Sequence, residues 1–491
     1  MVHAIVLQID RIAVVVYFFA ILVIGLSASK DADGDTMRYF LSGRNLGWSS
    51  IAVSLIAADA LCGHVVGVKG PFAVAMAIDL EVMGILGLVF LGWRAGEAFV
   101  SQSSFTTNDS LDRIYGGKVS VYVSLLFIAT YLIVRLSLVL LLGAFLVRYF
   151  SDWNVGAAIA AAVLISGIYS ITGGFAAVVS TQIVQAVFML MAFAALIVGV
   201  ILLPSFTHAQ VSGSGPAVIT AVQSHSAFPW LAVVIGIPVV ALWLWLTDQY
   251  VLQHVFSARS RRDMRKGITY VAIAKGLAAG TLLLVFLGAP GELNGVHAQL
   301  TLPSFLKVIV LIGVLSAIMS ALSGLFSSTS TLFTMDIYRR KKPHAEERKL
   351  VLVGRLSTMV VVLLSLLWMP ILTMIGWEGA DPLQSLLSCF AAVVVAVFMA
   401  GIFWKRATSL AAIIAVVVGI ATGAFRVVFE LIAGSLQIRN GIVLWLLNTQ
   451  YLNFAAIDFF VCLLVFVIGS LLLPSHTSID GISGSTKELS Y

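Results

Sequence analysis

Residues Ser54 to Gly70 read SLIAADALCGHVVGVKG, and this stretch decides how the rest of the chain is read. Apolar residues flank it on both sides, as in a membrane-crossing helix. Yet its middle carries Asp59, Gly63 and His64, and its far end Lys69. Hydrocarbon penalises each of those side chains, and a backbone group without a partner at Gly63 adds a further penalty. Such a segment is tolerated where its polar groups face protein or a water-filled cavity. The sequence therefore places a polar cavity at this helix, with the remainder of the chain as its scaffold.

The scaffold is an all-α polytopic membrane protein. Of 491 residues, 60% are hydrophobic and 11% charged, whereas a soluble chain carries about 25% charge. The apolar runs extend over about twenty residues instead of alternating over about ten, which excludes a β-barrel. About thirteen helices are expected, centred near Phe19, Ala60, Leu88, Phe127, Leu164, Ala192, Val240, Leu277, Leu322, Leu363, Val394, Val416 and Val461. Asp10 and Arg11 precede the first apolar run without a small-residue cleavage site after it, so that run reads as a helix and not as a cleaved leader. Residues 1–475 form one transmembrane domain and 476–491 a short polar tail; no segment is long enough to fold as a separate soluble domain.

Loop charge sets the direction. Basic clusters follow the first, seventh, ninth and eleventh helices: Lys30, Arg38 and Arg44; Arg259 to Lys266; Arg339 to Lys349; and Lys405 with Arg406. The loops Ser205–Pro229, Ala289–Ser304 and Pro370–Pro382 contain no Lys or Arg. The positive-inside rule then puts the N-terminus outside and the C-terminus in the cytoplasm. The net charge of +6 reports this orientation and implies no nucleic-acid partner. Cys62, Cys389 and Cys462 lie in apolar runs and read as small buried hydrophobes, which argues against a disulfide-bonded ectodomain. Short loops without such ectodomains point to a bacterial inner membrane. The sequence calls for the lipid bilayer and a small solute as partners and for no obligatory protein partner.

Helix seven is interrupted like helix two, by Pro238 and then by WLWLTDQ at Trp243–Gln249. Paired breaks in corresponding helices of two halves mark an inverted-repeat transporter, with the binding site where the breaks meet. Four intramembrane features are candidates for that site. Asp59 and His64 either bind a ligand or pair with a cation such as Lys69 or Lys275. Glu81 opens the apolar run Val82–Trp93, where a helix-end carboxylate near the interface is the simpler reading. Lys275 lies too far inside its run to snorkel and needs a carboxylate or a solute hydroxyl. Ser316, Ser320, Ser323, Ser327, Ser330 and Thr334 share one helical face and serve either as helix contacts or as ligands of a hard cation. Trp230, Trp243 and Trp245 would line a sugar-sized slot or serve as packing. HExxH, GxSxG, P-loop and paired-cysteine motifs are absent, so an enzyme is not expected.

YFLSGRNLGW (Tyr39–Trp48), YSITGGFAAVVSTQIVQ (Tyr169–Gln185), LWLWLTDQYVLQ (Leu242–Gln253), STSTLFTMDIY (Ser328–Tyr338) and GIFWKR (Gly401–Arg406) resemble the sodium:solute symporter family, most closely its sodium/glucose cotransporter branch. The resemblance implies a LeuT-like core of five plus five helices, with repeats at about 48–203 and 228–404. It places the sugar-site positions on Asp59, His64, Glu81, Trp245, Lys275 and Gln384. It places a Na+ site on the backbone carbonyls of Ala57, Ala60 and Ala317 and the hydroxyl of Ser320.

The departures are specific. Asp59 stands where the branch has Asn, Leu244 where it has a gating Tyr, and Ala241 where it has a hydroxyl or amide. Ala321 replaces the second sodium-site serine, and Gln182 the aspartate of two-sodium members. The chain is also two residues shorter between His64 and Glu81, a stretch that contains Lys69 and Pro71. The resemblance thus implies sodium-coupled symport of a sugar or related polyhydroxylated solute by alternating access, with Na+ as coupling ion. The residues leave open a proton-coupled or uncoupled sugar transporter and a non-transporting solute sensor.

Overall fold

The computed structural model describes residues 2–29, 34–59, 73–95, 104–202, 230–288, 303–375, 380–404, 406–432 and 449–473. Among them the regular structure is helical, apart from a one-residue parallel bridge between Leu46 and Ala258. The elements used below are α1 (Val2–Ala28), α2 (Thr36–Leu41), α3 (Trp48–Asp59), α4 (Ala73–Phe90), α5 (Asn108–Tyr115), α6 (Gly117–Ala129), α7 (Leu136–Phe150) and α8 (Val155–Leu202). They continue with α9 (Ile237–Leu242), α10 (Gln249–Phe256), α11 (Arg261–Gly288), α12 (Ser304–Thr331), α13 (Glu347–Ile375), α14 (Ala380–Phe403), α15 (Ser409–Ile432) and α16 (Tyr451–Leu472). Ten described helical stretches are long and apolar enough to cross a membrane, and α3 is a shorter apolar helix. The expected centre at Ala60 lies outside the described residues.

Helix α8 packs along α12 and against α1, α3 and α13. Helices α14, α15 and α16 pack on one another, and α11 lies against α3 and α4. Side chains such as Leu190, Leu277, Leu367 and Met374 are mostly exposed, as expected of faces that meet lipid instead of water.

The single run Val155–Leu202 bends sharply at Gly174, whose φ of 58° and ψ of −146° are reserved for glycine. Tyr39 of α2 fills the bend: a Cβ on Gly174 would lie 2.3 Å from the Tyr39 carbonyl oxygen. The bend turns one apolar run into the two spans that the sequence pattern expects near Leu164 and Ala192.

Helix seven breaks differently from expectation. Pro238 sits in the first turn of α9, after the wide turn Ala232–Gly236, and does not interrupt the helix. A proline has no N–H to offer, and the wide turn before it, in which Ile237 donates to the Ala232 carbonyl, accommodates it within a continuous helix. The break comes at Asp248, which is extended (φ −73°, ψ 122°) between the wide turn Trp243–Thr247 and α10. Its side chain caps α10 by accepting from the Tyr250 amide, as an N-cap aspartate does. The end of α10 is clasped to the approach of α3: Leu46 donates to the Ser257 carbonyl and Arg259 to the Leu46 carbonyl, both at 3.0 Å. Asp263 completes the clasp, accepting from the Trp48 amide at 3.1 Å and from Arg259 Nε at 2.8 Å. The hydrogen bond from Arg259 holds the Asp263 carboxyl well below the usual carboxylate range, so this clasp is intact throughout the neutral and mildly acidic range.

Gly174→Ala is expected to combine backbone strain of about 1–3 kcal/mol with the collision at Tyr39. Gly116, also at positive φ, has open space around its Cβ position, so Gly116→Ala meets strain without collision. Thermal melts in detergent should show the Gly174 variant losing distinctly more stability than the Gly116 variant. Equal losses would mean that the Tyr39 contact is not tight.

Candidate functional site

Four of the positions singled out in the sequence converge on one point. Asp59 is the last residue of α3, Glu81 lies in α4, Trp245 in the wide turn before the break, and Lys275 in α11. Lys275 Nζ lies 2.7 Å from Asp59 Oδ2 and 2.7 Å from Glu81 Oε2. It also sits 4.5 Å from the ring centroid of Trp245. The side chains are 5%, 18% and 13% exposed for Lys275, Asp59 and Glu81. Burial of this kind is tolerated because each charge is paired.

Glu81 is not a helix-end carboxylate, as the sequence pattern had it. Helix α4 begins at Ala73, because the apolar AVAMAIDL segment before Glu81 continues the helix, so Glu81 is in mid-helix and needs a cation. Gly84, three residues on, makes room for the group: a Cβ there would lie 2.8 Å from Lys275 Cε and 2.9 Å from Trp245 Nε1. Trp245 Nε1 is itself buried without a hydrogen-bond partner, which leaves a donor facing the ammonium group's surroundings.

Gln384, on α14, lines an adjoining narrow cavity with Met76, Ala77, Leu80, Val240 and Tyr451. Met76, Ala77 and Leu80 belong to α4 just before Glu81, so this cavity continues the wall that carries Glu81. Leu244 and Ala241 are fully buried. His64 and Ala60 lie outside the described residues, as does Lys69. Trp243 lies against Arg135, 5.4 Å from its guanidinium carbon, while Trp230 is exposed.

The cation positions lie beside the same break. Close to the last described residue of α3, Tyr250 Oη donates to the Ala58 carbonyl at 2.7 Å. Ala57 and Ala317 are buried, and Ser320 Oγ is buried without a hydrogen-bond partner. Most of its stripe is otherwise engaged. Ser316 bonds Tyr17, Ser330 bonds the Gly354 carbonyl, Ser327 accepts from Gln253, and Ser323 donates to the Ser320 carbonyl. A buried hydroxyl with spare lone pairs fits a small hard cation such as Na+. Ala321 supplies no second hydroxyl. Gln182 donates to the Ser320 carbonyl at 3.3 Å, and its Oε1 is 3.0 Å from His254 Nε2.

Two buried clusters escaped the sequence reading. Asp248 is held by Tyr131 and Arg135, with Arg135 also 4.7 Å from the Tyr250 ring centroid. A lone arginine in the apolar run Leu132–Leu142 was the available signal. Asp336 accepts from Thr106 Oγ1 at 2.7 Å, Asn108 Nδ2 at 3.1 Å and Ser124 Oγ; nothing in its local sequence names those partners.

A buried charged group among membrane helices, with one of them broken at Asp248, is the kind of arrangement that secondary transporters build at discontinuous helices. The comparisons specify which. The sodium:solute symporter family model matches residues 39–419, and the chain belongs to that family. It is 30% identical to a sodium/mannose cotransporter of Bos taurus, over 95% of this chain and 87% of that one. It is 27% identical to sodium/glucose cotransporter 1 of Oryctolagus cuniculus (94% and 78%) and 27% identical to sodium/myo-inositol cotransporter 2 of Mus musculus (86% and 70%). In fold it is similar to a Na+-coupled sialic acid symporter in a substrate-bound outward-open state, with a TM-score of 0.72, 19% identity and coverage of 95% and 98%. The chain is therefore a multi-pass membrane protein with a LeuT-like fold, and its relatives are transporters, not enzymes.

Lys275→Met would leave two buried carboxylates without their shared cation, a loss of about 3–5 kcal/mol by analogy with broken buried pairs. Adding Asp59→Asn and Glu81→Gln to that variant should restore most of the stability. Melting temperatures of the single and triple variants check this; a triple variant as unstable as the single would mean that lost packing, not charge, is responsible.

Proposed function

We propose that the protein is a secondary active transporter that couples Na+ to the inward movement of a sugar or related polyhydroxylated solute by alternating access. The observation that carries this reading is the contact between the break at Asp248 and α3. Tyr250, two residues after Asp248, bonds the last turn of α3, so the charged group at Lys275 and the vacant hydroxyl of Ser320 flank a single junction. Both ligands then act on the same mobile connection, which is what coupling requires.

In this reading a ring of hydroxyls meets donors (Lys275, Gln384 and Trp245 Nε1) and acceptors (Asp59 and Glu81), with His64 as a further contact. Such alternation suits a polyol better than an apolar solute. Na+ is the co-transported cargo, held by Ser320 and the carbonyls of Ala57, Ala60 and Ala317. The names of the mannose, glucose and myo-inositol relatives support the solute class. The basic loops support an N-terminus outside and a cytoplasmic C-terminus.

Labelled mannose, glucose and myo-inositol should accumulate in proteoliposomes under an inward Na+ gradient and merely equilibrate without it. Accumulation driven by H+ alone would replace the ion, and equilibration under every condition would make the protein a uniporter. Saturable binding without flux would make it a sensor. Ala321→Ser should lower the Na+ concentration for half-maximal uptake, because it adds a hydroxyl beside Ser320. An unchanged Na+ dependence would place the ion elsewhere.

A further inference from the structure

The helix that carries Lys275 turns a second face outward. Arg262, Lys266, Tyr270, Ile273 and Leu277 follow one another at helical intervals of four and three residues, which places them on one side of α11. All five are exposed, Ile273 by 53% and Leu277 by 69%. The face is graded: basic at the start of the helix, then aromatic, then aliphatic. Trp48 of the neighbouring α3 joins the aromatic level. It stacks on Tyr270 with the ring centroids 4.8 Å apart and remains 37% exposed. From Lys266 to Leu277 the helix rises about 16 Å, close to half of a hydrocarbon core about 30 Å thick. The aliphatic end of the face therefore spans the depth of one leaflet.

The positive charge at the start of this face is not consumed by the protein. Asp263 lies between Arg262 and Lys266 in sequence but is buried and turned into the clasp, where it accepts from the Trp48 amide, Arg259 Nε and Ser260 Oγ. Among the described residues Arg262 and Lys266 pair with no carboxylate. Two unpaired cations, an aromatic pair and an aliphatic strip, in that order along the membrane normal, match the phosphate, the glycerol–ester region and the acyl chain of a phospholipid. An acidic peptide would meet the two cations and leave the aliphatic strip, which faces hydrocarbon, without a role.

We propose that this face binds an anionic phospholipid, with its headgroup phosphate at Arg262 and Lys266, its ester region against Trp48 and Tyr270, and an acyl chain along Ile273 and Leu277. The site is independent of the identity of solute and coupling ion. Trp48 belongs to α3 and the other residues to α11, so the lipid bridges, beside the clasp, the two helices that carry Asp59 and Lys275.

The test is a titration of detergent-purified full-length protein with phosphatidylglycerol and with phosphatidylcholine of the same acyl composition, the bound lipid being counted by native mass spectrometry. The first phosphatidylglycerol is expected to bind about tenfold more tightly than phosphatidylcholine, and Arg262→Gln combined with Lys266→Gln should abolish that preference. Both side chains are exposed, so the double variant should melt like the native protein in the absence of lipid. Phosphatidylglycerol should raise the melting temperature of the native protein more than that of the variant. Lys341→Gln combined with Lys342→Gln removes the same charge from the loop after α12 and should leave the preference in place. Equal loss in that control overturns the proposal, because the lipid would then answer to overall charge alone. Equal affinity of the two lipids for the native protein also overturns it. Displacement of phosphatidylglycerol by millimolar glycerol 3-phosphate would overturn the lipid as occupant, because the site would then hold a soluble phosphate.

Discussion

The structure is organised by a single constraint: a helix broken at bilayer depth must have its exposed backbone and polar groups satisfied by protein. At Asp248 the solution is a buried ion pair. The carboxylate caps α10, accepts from Tyr131 and pairs with Arg135, whose guanidinium lies against Tyr250 and Trp243. A pair so deeply buried adds little net stability against a well-packed apolar substitute, yet losing one partner strands a charge. Its role follows from geometry: the bond fixes the rotation of α10 and hence where Tyr250 and His254 point. Gln249 and Gln253 extend the same strapping, the former to Thr107 and Phe105, the latter to Phe40, Ser327 and Thr331.

From that anchor the site follows. Tyr250 leaves α10, packs its ring against Gly324 of α12 and donates to Ala58 of α3, so one side chain touches the two elements that carry the proposed Na+ ligands. The clasp of Leu46, Ser257 and Arg259 joins the other ends of the two broken helices. Anchored at Tyr250 and at the clasp, α3 and α10 form one unit, and a ligand that displaces the end of α3 displaces α10 with it. Asp59 stands at that end. Its carboxylate pairs with Lys275.

The sequence made the broad architecture readable because hydrocarbon is a strict solvent. Long apolar runs, basic loops and intramembrane charges each have few physical explanations, so Asp59, Lys275 and Trp245 were identified and found together. The misreadings share another cause. Glu81 looked like a helix end because the residues before it were not recognised as helix, and Pro238 looked like a break because a wide turn can absorb a proline without a sequence signal. Arg135 and Asp248 are 113 residues apart and Lys275 and Asp59 are 216 apart; periodicity does not report pairings at such separations. The bend at Gly174 was visible only as two expected spans, and the Tyr39 carbonyl that requires a glycine there comes from a distant part of the chain.

The charge arrangement also bears on how two ligands become coupled. Coupling needs each ligand to bind one conformation of a shared element better than the other, and the resulting free energy is reciprocal. Here the shared element is α3: its Ala58 carbonyl accepts from Tyr250, and Asp59 pairs with Lys275. In the proposed reading the influence passes along α3 over a few residues, through the same Tyr250 contact that adjoins the break at Asp248.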